Sequence, residues 1–158
     1  MKDKPDNVVM AVCRVDPPSA TSQQKGVAVV GGRPRFYTKK DVRAALKLWR
    51  LVIHSGKSRG FRRFEGPVAV SIGITYPFPA DWSRRRRAEG AQPKPTRPDL
   101  DNLCKVALDA ATAANVWRDD AQVTRLEVSK AWGDHGELRI LIRPDAPQPT
   151  PQPAPAGE

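Results

Sequence analysis

A run of nine residues with a strict period of two constrains this fold more than any other feature of the chain. Val68, Val70, Ile72, Ile74 and Tyr76 alternate with Ala69, Ser71, Gly73 and Thr75. That spacing sets every large apolar side chain on one face of a strand. Pro77 and Pro79 end it, because proline has no N–H for a ladder. The small residues on the second face imply that something packs closely there. Upstream the period changes. Val42, Leu46, Trp49 and Ile53 recur at i, i+4, i+7 and i+11, the apolar face of a helix. Thr38 is placed to N-cap it, with Asp41 three residues on as in a capping box, and Gly56 to end it.

Further strands are expected at residues 7–15 and 122–132 and at 136–143, with a short one at 27–30 before Gly31-Gly32. Gly133-Asp134-His135-Gly136 reads as a hairpin turn joining the last two strands. A second helix should begin at Asp101 and end near Asn115. Leu103, Val106, Ala107, Ala110 and Ala114 form its apolar stripe. The expected architecture is one small α+β domain over residues 1–143, in β-α-β-α-β-β order, with helices packed on a mixed sheet. Residues 144–158 hold six of the 16 prolines and read as a disordered, polyproline-like tail.

No apolar run approaches the length of a membrane span, and the N-terminus lacks a signal peptide's apolar core, so cytoplasmic residence is expected. Cys13 and Cys104 are too few for a disulfide framework or a zinc site. Cys104 reads as a packing thiol inside the second helix.

Lys and Arg number 27 against 17 Asp and Glu, a net charge of +10. Five of those carboxylates, Asp99, Asp101, Asp109, Asp119 and Asp120, fall within residues 97–122. A basic chain with one acidic cluster points to a polyanion partner and a cation at the point of action. The irregular stretch 81–98 supplies the matching positive charge. Arg84, Arg85, Arg86 and Arg87 are consecutive, with Trp82 beside them and Lys94 and Arg97 after. These six cations are the candidate DNA-phosphate contacts, and Trp82 is a candidate stacking partner for an unpaired base.

Asp99 and Asp101 are two apart, so in an extended segment both point to one side. Lys105 follows four residues after Asp101, on the same helix face. With Asp120, these carboxylates suit Mg²⁺, which takes oxygen ligands and keeps several waters. Bound metal can activate water and neutralise phosphoryl charge, while a nearby lysine stabilises the transition state. A purely structural account also exists: Asp101-Asn102 as an N-cap, Asp101–Lys105–Asp109 as a surface ion-pair ladder, Asp119-Asp120 as a turn. On spacing alone that account has a slight edge.

The segments RPDLDNLCKVALDA and NVWRDDAQV resemble the core motif of the RusA family of Holliday-junction endonucleases, small dimeric Mg²⁺-dependent resolvases of phages, prophages and bacteria. Asp16-Pro17-Pro18-Ser19 resembles the start of that family's N-terminal loop, and the likeness extends over residues 8–143. The resemblance implies metal-binding aspartates at Asp99, Asp101 and Asp120 and a catalytic lysine at Lys105, with Asp119 at the adjacent acidic position. It departs after Ser19, where an asparagine-rich, aromatic continuation is missing. The arginine run and the tail look like local additions. What the resemblance implies is a homodimeric, Mg²⁺-dependent endonuclease that resolves four-way DNA junctions by paired symmetric nicks in recombination and repair. The alternatives are a nuclease acting on flaps or forks, and a non-enzymatic DNA-binding protein with a structural acidic cluster.

Overall fold

The computed structural model describes residues 7–19 and 25–146. Seven strands and three helices follow in order: β1 (Val9–Arg14), β2 (Lys25–Val30), β3 (Arg33–Thr38), α1 (Lys40–Gly56), β4 (Val68–Pro77), α2 (Arg84–Arg87), β5 (Gln92–Pro93), α3 (Leu100–Ala113), β6 (Val123–Gly133) and β7 (Glu137–Pro144). A single 3₁₀ turn, Asp120–Gln122, precedes β6. The architecture is α+β, and five strands make one mixed sheet in the order β1-β7-β4-β6-β5.

The period-two run is β4, and it lies at the centre. β7 flanks it antiparallel and β6 flanks it parallel. Val70, Ile72 and Ile74 sit opposite Ile142, Ile140 and Leu138 of β7. These residues join Trp49 and Ile53 of α1 and Leu103, Val106 and Ala107 of α3 in one core. Both helices therefore cover the face that carries the large apolar residues.

Three expectations need correction. The connection at residues 133–136 is not a hairpin turn, because β6 and β7 do not pair with each other. α3 returns the chain so that β6 runs parallel to β4, and the connection then passes over the end of β4 to reach its other edge. It passes closely: a Cβ on Gly133 would lie 2.6 Å from the Thr75 methyl, and one on Gly136 would lie 2.6 Å from the Val15 carbonyl oxygen. Second, the strand expected at 27–30 is present within β2, but residues 33–38, where no strand is expected, form β3 and pair with it in a two-stranded hairpin. Gly31 and Gly32 turn it with φ of +59° and +73°, angles that glycine adopts without steric cost. Third, Thr38 ends β3 instead of capping α1, whose N-cap is Lys39, with no side-chain cap bond. Most of the expected proline-rich tail, residues 147–158, lies outside the described residues.

Gly56 does end α1, for a reason of packing. A Cβ there would lie 2.7 Å from the Met10 carbonyl carbon and 2.9 Å from the Ala11 Cβ, both in β1, so helix and strand touch backbone to backbone. Gly56→Ala should destabilise the fold by about 1–3 kcal/mol, the range for overpacking a tight contact. Urea denaturation measures it, and an unchanged midpoint would show that β1 yields freely.

Candidate active site

α3 begins where its sequence said it should, to within one residue. Asp99 occupies the N-cap, and its side chain makes no cap hydrogen bond, which leaves that carboxylate free. Leu103, Val106, Ala107, Ala110 and Ala114 are all buried, and Asn115 turns the chain with φ of 54°. Lys57 donates to the Ala114 carbonyl at 2.7 Å, satisfying an orphan acceptor at the helix end. Burial pushes the Lys57 ammonium pKa down.

Asp101, Lys105 and Asp120 line one open groove of about 680 Å³ between α3 and β6, floored by Leu100, Cys104, Leu108, Leu126 and Val128. Burial, and secondarily the Asp101 carboxylate, pushes the Cys104 thiol pKa up, as expected of a packing thiol. Lys105 reaches Asp109 at only 3.8 Å, and both side chains are well exposed. A pair so long and so exposed contributes little and leaves the ammonium free to move.

Asp99 does not line this groove, and among the described residues no group of three His, Cys, Asp or Glu side chains converges closely enough to hold a metal. The expectation that Asp99 and Asp101 share a side assumed an extended segment. Asp99 itself is extended (φ −70°, ψ 141°), but the helix starts at Leu100, so Asp101 already lies in its first turn and the period of two does not carry from one to the other.

The 3₁₀ turn separates the roles of the acidic pair. Asp119 accepts the Ala121 N–H at 2.8 Å. The Gln122 side-chain oxygen accepts from the N–H groups of Arg118 (2.8 Å) and Asp119 (3.3 Å). The Gln122 amide nitrogen donates to the carbonyls of Phe64 (3.0 Å) and Gly66 (2.9 Å). Asp119 and Gln122 thus hold the turn in place, while Asp120 lines the groove.

The six expected DNA contacts also divide. Arg84–Arg87 form a one-turn helix, not an irregular loop, capped by Ser83, whose hydroxyl accepts the Arg86 N–H at 3.2 Å. Arg87 donates to the carbonyls of Pro79 (2.9 Å) and Ala80 (3.0 Å). The Arg86 guanidinium lies 3.6 Å from the centre of the Trp82 ring, a cation–π contact. The other ring contacts of Trp82 are stacking on Phe78 and an edge-on meeting with Trp132, so a base would have to displace a resident neighbour. Lys94 is a correction: it is 6% exposed, and its ammonium is bonded to its own loop. Arg84, Arg85 and Arg97 are exposed.

The family model described as "Endodeoxyribonuclease RusA" matches residues 16–143. The chain belongs to the RusA family. A "Crossover junction endodeoxyribonuclease rusA" of Lactococcus phage r1t is 29% identical over 128 residues, 81% of this chain and 92% of that protein. The protein "Crossover junction endodeoxyribonuclease RusA" of Escherichia coli K12 is 52% identical over 61 residues, 39% of this chain and 46% of its own. An "Uncharacterized protein YqaN" of Bacillus subtilis is 32% identical over 83 residues, 49% of this chain and 58% of that protein. A RusA-family chain is an endodeoxyribonuclease, and among its described residues no helix is long and apolar enough to cross a membrane.

Sequence reasoning missed two residues in this RusA fold. Gln122 closes the motif segment, but its hold on residues 64–66 depends on a contact far away in sequence. Lys130 left a readable signal: it continues the 126, 128, 130 alternation on the side of β6 that faces α3, where a charge needs partners.

Proposed function

We propose that this chain is a Mg²⁺-dependent, structure-selective endonuclease that resolves four-way DNA junctions by paired symmetric nicks, acting as a homodimer. The observation that carries the reading is the shared groove of Asp101, Lys105 and Asp120 in a chain of the RusA family. The donor chemistry fits a hard divalent cation. Asp101 and Asp120 offer exposed carboxylate oxygens that enter no ion pair among the described residues, and the open groove leaves room for retained waters. Asp99, at the N-cap with a free carboxylate, is the third ligand in this reading. When bound, the metal would supply an activated water and charge neutralisation at the phosphate. Lys105 then holds its ammonium near the departing oxygen, and Asp119 keeps the 3₁₀ turn shaped. Two matching nicks across a roughly two-fold junction call for two matching sites, hence a second copy of the chain.

Strand-labelled junction, fork, flap and linear duplex, each incubated with protein and Mg²⁺, test this on a denaturing gel. The expected result is nicks at symmetry-related positions in opposed junction strands, with the linear duplex intact. Equal cutting of forks or flaps would move the substrate assignment, and no cutting at all would leave a DNA-binding protein.

Arg84 and Arg85 are the best placed of the arginine run to meet phosphate. Replacing both by Ala should flatten the slope of log K against log salt by roughly 0.9 for each phosphate no longer neutralised. Arg87→Ala should instead lower the melting temperature, because its guanidinium ties residues 79–80. Salt titration of junction binding checks the first, and an unchanged slope would return Arg84 and Arg85 to solvent.

A further inference from the structure

Two lysines meet beneath the segment that leads into α3. Lys94 donates to the Thr96 carbonyl (3.2 Å), to the Thr96 hydroxyl (2.6 Å) and to the Arg97 carbonyl. Lys130 donates to the Thr96 carbonyl at 2.7 Å and to the Pro98 carbonyl. Three successive carbonyls, immediately before Asp99, are therefore held by two ammonium groups. Lys94 directly follows β5 and Lys130 lies in the neighbouring β6, and the Lys94 backbone N–H also donates to the Lys130 carbonyl at 3.3 Å. Lys94 lies 4.4 Å from the Trp132 ring centre and 5.0 Å from that of Tyr76. Neither lysine has a carboxylate partner among the described residues.

We propose that Lys94 and Lys130 act as a clamp that fixes the 96–98 segment so that Asp99 is presented to the divalent cation, making both lysines positioning residues. The inference rests on the reading of the carboxylates as metal ligands. Stability alone does not explain the arrangement. A buried cation is costly to desolvate, a second one beside it adds repulsion, and apolar side chains of similar volume often serve a fold equally well. In this segment Pro95 and Pro98 leave only Thr96 and Arg97 with a backbone N–H. Its carbonyl directions must then be set from outside, and two ammonium groups with several donors each can do that. Outer-shell groups of this kind orient the ligands of a metal site.

The test is Mn²⁺ binding by the full chain, followed by electron paramagnetic resonance, for Lys130→Met, which keeps the length of the stem and deletes the charge. Mn²⁺ affinity should fall about 10-fold or more, the usual cost of losing an outer-shell partner. The Mg²⁺ concentration for half-maximal nicking should rise in step, while junction affinity in EDTA and the melting temperature stay near wild type. Asp101→Asn, run alongside, must itself lose Mn²⁺ affinity. If it does and Lys130→Met binds Mn²⁺ like wild type, the clamp is wrong and the metal site stands. If Asp101→Asn retains its affinity, the metal site is misplaced and the clamp goes with it. Should Lys130→Met fail to fold, Thr96→Val removes one acceptor at an exposed residue. It should weaken Mn²⁺ binding about 5-fold, as the loss of one hydrogen bond does, and unchanged affinity would overturn the clamp.

Discussion

Asp101→Asn should reduce junction cleavage to below about one-hundredth of wild type while leaving junction binding intact or tighter. Loss of an outer-shell partner alone costs about 10–100-fold at metal sites, and a direct ligand should cost at least that. The amide keeps the size of the side chain but gives up the charge that attracts the cation. It also removes a negative group that repels phosphate, so affinity for DNA should not suffer. Asp120→Asn should behave the same way, since both side chains open on one groove. Asp119→Asn should not, because an asparagine oxygen can still accept the Ala121 N–H that Asp119 accepts now. Single-turnover cleavage and gel-shift assays on the three variants separate the roles. Wild-type cutting by Asp101→Asn would remove that residue from the site.

Lys105→Ala should lower the single-turnover rate by about 10²–10³, the range for deleting one preorganised group that stabilises developing negative charge. Affinity for the junction should change little, since a group acting on the transition state leaves ground-state binding alone. Stability should change little as well, because the Asp109 contact is 3.8 Å long and well exposed. A parallel drop in affinity would reassign Lys105 to phosphate positioning.

Local pattern carried most of the fold. β4, the apolar faces of α1 and α3, and the left-handed Asn115 are each written in a single segment, and each stands where its spacing put it. Partnership was harder to read. Nothing in residues 122–143 says that the two strands straddle β4, because strand pairing depends on where α3 returns the chain. The same limit applied to the candidate site. Asp101, Lys105 and Asp120 share a groove as the motif suggested. Asp99 is not among the residues that line it, and the helix begins at Leu100, one residue before the expected start at Asp101. Of the arginine run, composition could not separate Arg84 and Arg85, which face solvent, from Arg86 on Trp82 and Arg87 on the 79–80 carbonyls. Lys94 looked like another surface cation, and only the closure of β5 onto β6 buries it.

If the groove between α3 and β6 binds the catalytic cation, an anomalous-scattering map from crystals soaked in Mn²⁺ shows it most directly. A peak is expected in that groove, with Asp101 and Asp120 oxygens at roughly 2.1 Å, the distance of hard-cation oxygen coordination, and Asp99 drawn toward it. A peak held by other residues, with Asp101 and Asp120 left unliganded, would contradict that assignment.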